Sequence, residues 1–245
     1  MTTTRKFKPI IFCVIMIFAV HLSPAYGGVG SFFDSIKKQV IGTRALPESD
    51  IINGLKEALS LGTSNAVSTV SQADGFFKNP DIKIPLPDTI NSISPLIKSA
   101  GFGSYIDEFE LSMNRAAEEA APEAGALFMD AIQKMTFTDA KKILDGPDTA
   151  ATDYFKDKTS EPLAKIFKPI INKSMSATGA TRAYQDLNSK IQTIPFAESQ
   201  VLDIDQYATD RAIDGLFHMI SLEEQKIRLD PAARTTDLLK KVFNK

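Results

Sequence analysis

Residues 105–135 read YIDEFELSMNRAAEEAAPEAGALFMDAIQKM, and this stretch decides the fold class. Ile106, Phe109, Met113, Ala116, Ala120, Ala124, Leu127, Phe128, Ala131 and Met135 recur at the 3.6-residue spacing that lines one face of an α-helix. Six alanines and Gly125 fall between positions 116 and 126, small enough to let a second backbone approach closely. Pro122 has no amide hydrogen and its ring crowds the carbonyl one turn back, so it should kink or split the helix there.

The polar residues of the same stretch are equally ordered. Asn114 and Glu118 stand four apart, as do Arg115 and Glu119. The alanine-rich surroundings would desolvate whichever pair faces inward. Two readings follow. Glu118 could serve as an acid or base in an apolar cleft, assisted by Asn114 and Arg115. Alternatively, the group forms a buried ion pair or a solvated stripe, and this structural reading is preferred.

Upstream, Ile52, Leu55, Leu59, Gly62, Ala66 and Val70 line another helix face, with Pro47, Glu48 and Asp50 supplying the start a helix prefers. Asp74-Gly75 reads as its stop. Residues 79–88 carry Pro80, Pro85 and Pro87 with alternating apolar positions. Proline blocks both a helix interior and a central ladder, so this is an extended loop or an edge strand. Its Ile82, Ile84 and Leu86 should lie in a groove between helices. A helix at about 88–99 then closes at Gly101.

Downstream, Thr136 to Asp139 has capping-box spacing and begins a short helix that ends at Gly146-Pro147. Asp148 opens another through Tyr154-Phe155, and helices near 160–177 and 179–192 follow, the first interrupted by Pro169. Residues 203–219 form an amphipathic helix that Ser221-Leu222-Glu223-Glu224 restarts. Asp230-Pro231 caps a last helix with Leu238, Leu239, Val242 and Phe243. With a short first helix carrying Phe32, Phe33, Ile36 and Val40, the expectation is all-α. It is a single bundle of about ten helices with one proline-rich extended loop.

The N-terminus determines what the composition means. Arg5, Lys6 and Lys8 precede an apolar run of 11, Ile10–Val20, and Ser23-Pro24-Ala25-Tyr26-Gly27 follows with small residues before a cut after Gly27. This is the pattern of a secretory signal peptide, and the run is roughly half of what spans a bilayer. Residues 1–27 are therefore read as a leader and 28–245 as the helical domain, exported to the periplasm or beyond the cell, with no transmembrane span once the leader is gone. Taking those three bases from the 28 Lys and Arg leaves 25 against 30 acids, a formal net charge of −5. Cys13 and His21 leave with the leader, and His218 is then the single histidine. Thiol nucleophiles, disulfides, iron–sulfur clusters and Cys/His metal sites are excluded. The acidic balance speaks against a nucleic-acid partner. No cofactor and no metal are expected.

The remaining chemistry is sparse. Asp214 lies four residues before His218 and reads as a surface pair rather than half of a general base. Ser35-Ile36-Lys37-Lys38 has Ser-x-x-Lys spacing without the companion motifs of acyl transfer. Asp203-Ile204-Asp205 and Asp145-Gly146-Pro147-Asp148 are read as helix caps rather than calcium loops, since neither has the EF-hand Gly and Glu. Glu224 and Arg228 read as a surface pair. Two apolar sets could line a ligand cavity: Phe76, Phe77 and Ile84 with Ile82, and Tyr154 and Phe155 with Phe167 and Met175. Core packing is the preferred reading of both.

Several stretches together carry a resemblance. They are Gly54-Leu55-Lys56-Glu57-Ala58-Leu59, Asp74-Gly75-Phe76 with Lys83-Ile84-Pro85-Leu86-Pro87, and Met113-Asn114-Arg115-Ala116-Ala117-Glu118. Met135-Thr136-Phe137-Thr138-Asp139-Ala140, Ala150-Ala151-Thr152-Asp153-Tyr154-Phe155 and Ala212-Ile213-Asp214-Gly215-Leu216-Phe217 continue the set. With them the chain resembles the bacterial domain-of-unknown-function 4197 family over nearly all of the mature sequence. The resemblance implies an exported bacterial protein and carries over no catalytic or binding residue. The functional expectation is a non-catalytic envelope protein that binds an apolar ligand or a protein partner; the alternative is a carboxylate-dependent enzyme centred on Glu118.

Overall fold

The chain folds through helix after helix because its apolar residues keep helical spacing, and in the computed structural model the described residues form no strand. Residues 47–99, 101, 103–191 and 202–230 are described, with side chains omitted for 187–191. The leader, the first helix around Phe32 to Val40, the Ser35–Lys38 pair, Pro195 and the last helix with Leu238 to Phe243 lie outside them. The helices are α1 (Glu48–Val70), α2 (Asp88–Asn91), α3 (Ser94–Ser99), α4 (Gly103–Ala120), α5 (Ala124–Lys134), α6 (Phe137–Asp145), α7 (Ala150–Ala177), α8 (Ala180–Ile191) and α9 (Ile204–Leu229). These are nine helical segments among the described residues, one of them a single turn. About ten were expected, some of which fall outside this range.

Long, strongly periodic segments behave as read. α1 buries Leu55, Leu59, Gly62, Ala66 and Val70, the stripe its spacing predicts. Pro122 splits the long segment with a 3-10 turn at Ala121–Glu123 between α4 and α5. At the start of α6 the Thr136 side chain accepts from the Asp139 amide while the Asp139 carboxylate accepts from the Thr136 amide, a complete capping box. Asp203 caps α9 by accepting from the Gln206 amide at 3.0 Å.

Three boundaries differ. The segments expected at 148–155 and 160–177 are one helix, α7, which runs through Pro162 and Pro169. Each proline removes a backbone hydrogen bond, at about 3 kcal/mol in an isolated helix. Here the orphaned carbonyls belong to Lys158 and Lys165, both exposed residues, so the loss falls on the solvent side of the helix. The opposite face, Phe155, Leu163, Phe167, Ile171 and Met175, is wholly buried, and its burial holds the helix together. Ser221 does not restart a helix: its hydroxyl donates to the His218 carbonyl at 2.7 Å inside an unbroken α9. The helix expected at 88–99 is broken into α2 and α3.

α7 is the central element, packed on α4, α5, α8 and α9, with α1 closing against α5 and α9. Phe128 of α5 meets Phe155 of α7 edge-on at 5.3 Å and Phe217 of α9 at 6.2 Å, tying three helices at one aromatic point. The alanines of α4, the 3-10 turn and the start of α5 (Ala116, Ala117, Ala120, Ala121 and Ala124) have no solvent exposure. They provide the close approach their size suggested.

Candidate functional site

The proline-rich segment after α1 satisfies part of its backbone in its own turns, and polar residues of α4 take the amides of Phe76, Phe77 and Ile84 and the Ile84 carbonyl. Asn114 is fully buried. Its Oδ1 accepts from the Ile84 amide at 2.8 Å, and its Nδ2 donates to the Ile84 carbonyl at 2.9 Å and to the Glu110 carbonyl at 2.8 Å. One side-chain amide thus plays the part of a neighbouring strand for one residue of extended chain. Glu118, 5% exposed, accepts at Oε1 from the successive amides of Phe76 (3.0 Å) and Phe77 (3.2 Å). Its Oε2 accepts from Arg115 Nη1 at 2.6 Å, and Arg115 Nη2 donates to Asp74 Oδ1 at 2.6 Å.

Asp74 turns the chain at φ 71°, in the left-handed region a non-glycine residue seldom enters. Lys78 and Arg115 hold it there, and their hydrogen bonds, Lys78 foremost, keep its carboxyl below the ordinary aspartate range. Bonds to Glu118 and then Asp74 raise the Arg115 guanidinium above its usual value, so it is a permanent cation. Further along the segment, Lys83 pairs with Glu110 at 2.7 Å and sits 4.9 Å from the Phe77 ring, and Tyr207 of α9 donates its hydroxyl to the Pro85 carbonyl at 3.1 Å.

The segment's apolar side chains enter the core. Phe76, Ile82 and Ile84 are buried and Leu86 packs at the edge. Gly215 of α9 is required beneath them: a Cβ there would lie 2.7 Å from the Phe76 ring and 3.1 Å from the Ile82 Cβ. Of the expected extended loop, residues 76–82 run largely through turns, while residues 83–87 carry no regular secondary structure and no strand pairing. Asn114, Arg115 and Glu118 come together as one cluster that grips the chain's own backbone. A substrate would have to displace those backbone bonds to use them.

The aromatic candidates distribute differently. Phe76, Ile84 and Phe155 lie in the main core, Phe77 is half-buried under Lys83, and Tyr154 donates its hydroxyl to the Ala131 carbonyl at 3.0 Å. His218 and Asp214 are both exposed on α9. Glu224 is not a surface residue as expected. It is 5% exposed and accepts from the Ala151 amide (2.9 Å), the Thr152 amide (2.8 Å) and the Thr152 hydroxyl (2.9 Å), with Arg228 Nε at 3.0 Å. Arg228 also donates to the Ile143 carbonyl at 2.8 Å. Glu224 therefore caps the N-terminus of α7 from another helix, and Asp148 does not cap it. Among the described residues no group of three or more His, Cys, Asp or Glu is placed to hold a metal, and no helix is long and apolar enough to cross a membrane.

A cleft of about 390 Å³ opens elsewhere, between α4 and the corner where α7 turns into α8. Gly179, at φ 76°, makes that turn. Tyr105, Phe109 and Leu111 of α4 form one wall, and Ala180 and Ala183 of α8 the other. Phe109 stacks on Tyr184 at 5.9 Å and 10°, which joins α4 to α8. The charged residues lining it are Glu108 and the already engaged Arg115. Its volume falls in the usual range for a small-molecule site.

Of the residues lining this cleft the sequence named only Arg115, as an assistant to Glu118, and none of its apolar wall. A signal existed: Tyr105 and Leu111 are apolar yet sit off the 106-109-113-116 stripe that α4 buries. Residues 45–244 match a family model described as "Protein of unknown function (DUF4197)". No curated protein and no solved structure matches the chain.

Proposed function

The chain belongs to the DUF4197 family of proteins of unknown function, and from that premise we propose that it is an exported, non-catalytic binding protein of the cell envelope. It takes an apolar ligand in the cleft between α4 and the α7–α8 corner. The observation that carries this reading is the cleft itself: about 390 Å³, walled by Tyr105, Phe109, Leu111, Ala180 and Ala183. The residues with catalytic potential support it from the other side, because Asn114, Arg115 and Glu118 spend their hydrogen bonds on residues 74–84. The signal-like residues 1–27 support export to the periplasm or beyond.

A protein partner is the second reading, favoured by Leu96 and Tyr105, which are 70% and 62% exposed. Native mass spectrometry of protein purified from its own host separates the two as a small added mass or a second chain. The fluorescence of N-phenyl-1-naphthylamine tests the cleft directly. Ala183→Trp places an indole in the opening at an exposed position and should abolish the enhancement while leaving the helical circular dichroism unchanged. Equal enhancement in the parent and this variant would refute the assignment. Fractionation of cells with an antibody to the chain tests export; recovery with the cytosol would refute that part.

A further inference from the structure

The corner at Thr178 and Gly179 separates two depressions of opposite character. On one side is the apolar cleft. On the other, Asn172, Ser176, Thr181, Arg182 and Gln185 line a polar depression of about 630 Å³, and Thr178 and Gly179 border both. The two share Thr178 and Gly179, and a Cβ at Gly179 would meet nothing within 4 Å, so no side chain stands on the ridge at that position.

Charge distinguishes the two sides. In the apolar cleft the Arg115 cation is taken by Asp74 and Glu118, which leaves the Glu108 carboxylate as the uncompensated charge of its lining. An anion placed there meets repulsion. In the polar depression Arg182 is the charged residue, and it has no carboxylate partner among the described residues. Beside it, the Thr181 hydroxyl is buried without a hydrogen-bond partner, a state that polar groups in folded proteins rarely keep without a reason.

We propose that this corner binds a single-chain anionic amphiphile. The hydrocarbon chain lies between α4 and α8 against Phe109 and Leu111, and the anionic head crosses Gly179 to meet Arg182 and Thr181. A guanidinium offers paired donors to a phosphate, sulfate or carboxylate head. Glu108 fixes the polarity by excluding the head from the apolar end. The inference rests on the apolar cleft proposed above and adds the chemical class and direction of its ligand.

Competition against N-phenyl-1-naphthylamine on the purified full chain tests it, with lysophosphatidylglycerol, lysophosphatidylcholine and inorganic phosphate as competitors, the lipids matched in chain and kept below micelle formation. Residues 1–46 include an apolar run of their own, so every comparison is between variants of the same chain. The anionic lipid should displace the probe at about tenfold lower concentration than the zwitterionic one, roughly one charge-assisted hydrogen bond. Arg182→Gln should bring the two within about twofold while the probe still binds, and phosphate alone should displace nothing. Probe binding without head discrimination, or discrimination that survives Arg182→Gln, would overturn this inference and leave the apolar cleft standing. Displacement by phosphate alone would reduce the site to a simple anion site. Probe binding that Ala183→Trp does not reduce would overturn the cleft reading itself.

Discussion

Asn114 is the residue whose replacement most directly tests how the proline segment is held. Leucine keeps the branched four-atom outline of the asparagine side chain but is bulkier, so Asn114→Leu removes the hydrogen bonds without opening a cavity and adds some overpacking to their loss. The Glu110 carbonyl retains its place in the α4 ladder, but the Ile84 amide and carbonyl lose their partner, and Ile84 is 1% exposed. Each orphaned buried group costs about 1–3 kcal/mol, so the pair costs about 2–6 kcal/mol. The added apolar burial of leucine offsets part of this. We expect a net destabilisation of about 2–4 kcal/mol, which at a urea slope near 2 kcal/mol per molar moves the midpoint down by about 1–2 M. Urea titration followed by circular dichroism measures it. Asn65→Leu, which breaks the exposed bond from Asn65 to Glu223, is the control and should stay within about 0.5 kcal/mol. Trypsin provides the local reading, because release of the segment exposes Lys78 and Lys83 to cleavage while the helices persist. Midpoints for Asn114→Leu and Asn65→Leu that coincide, with no new cleavage at those lysines, would refute the claim that the Asn114 amide holds this segment in place.

Two further outcomes follow from the same site. Gly215→Ala would gain about 1 kcal/mol of helix propensity but drives a methyl into the Phe76 ring at 2.7 Å, an overpacking cost of about 1–3 kcal/mol. The clash should win, thermal melting should show a lower midpoint, and adding Phe76→Leu should recover part of it; an unchanged or raised midpoint would contradict this packing. Stability should also fall in acid. Asp74, Asp139 and Asp203 are held below the ordinary aspartate value by Lys78 and Arg115, by Thr136, and by Lys168 and the Gln206 amide. The unfolded chain therefore takes up protons first, so this stabilisation is complete above about pH 4 and is lost as pH falls through the lower native values. Urea midpoints measured from pH 7 to pH 3 should fall on the acid side, and Asp139→Asn should flatten that fall; an identical pH profile for the variant would exclude the contribution.

What could be read from the sequence depended on how far away the deciding partner lay. The buried face of α1, the break at Pro122 and the Thr136–Asp139 box are decided within a few residues, and the structure has all three. Asn114 and Glu118 were recognisable as inward-facing polar residues because alanines surround them. Their partners at 76, 77 and 84 lie 30 to 42 positions away, beyond any local pattern. Pro169 misled for a related reason: proline's cost is local, while the burial that outweighs it belongs to the packing of α7 as a whole. The cleft was hidden more deeply. It depends on where α8 points after Gly179, and no periodicity records that direction.

Glu224 adds a constraint of timing. The first amides of α7 find their acceptor 72 and 73 residues further along the chain. A chain synthesised from its N-terminus produces all of α7, with its two interior prolines, well before Glu224 exists. Helix nucleation is costly even with a good cap, and this helix waits for its cap until α9 has been made. The longest described helix is thus completed by the last one, and contacts between distant positions slow folding. Until α9 arrives, the Phe155-to-Met175 face has nothing to cover its far side, and exposed faces of that kind are where partly made chains associate. The carboxylate that joins α9 to the start of α7 also sets the order in which the fold can close.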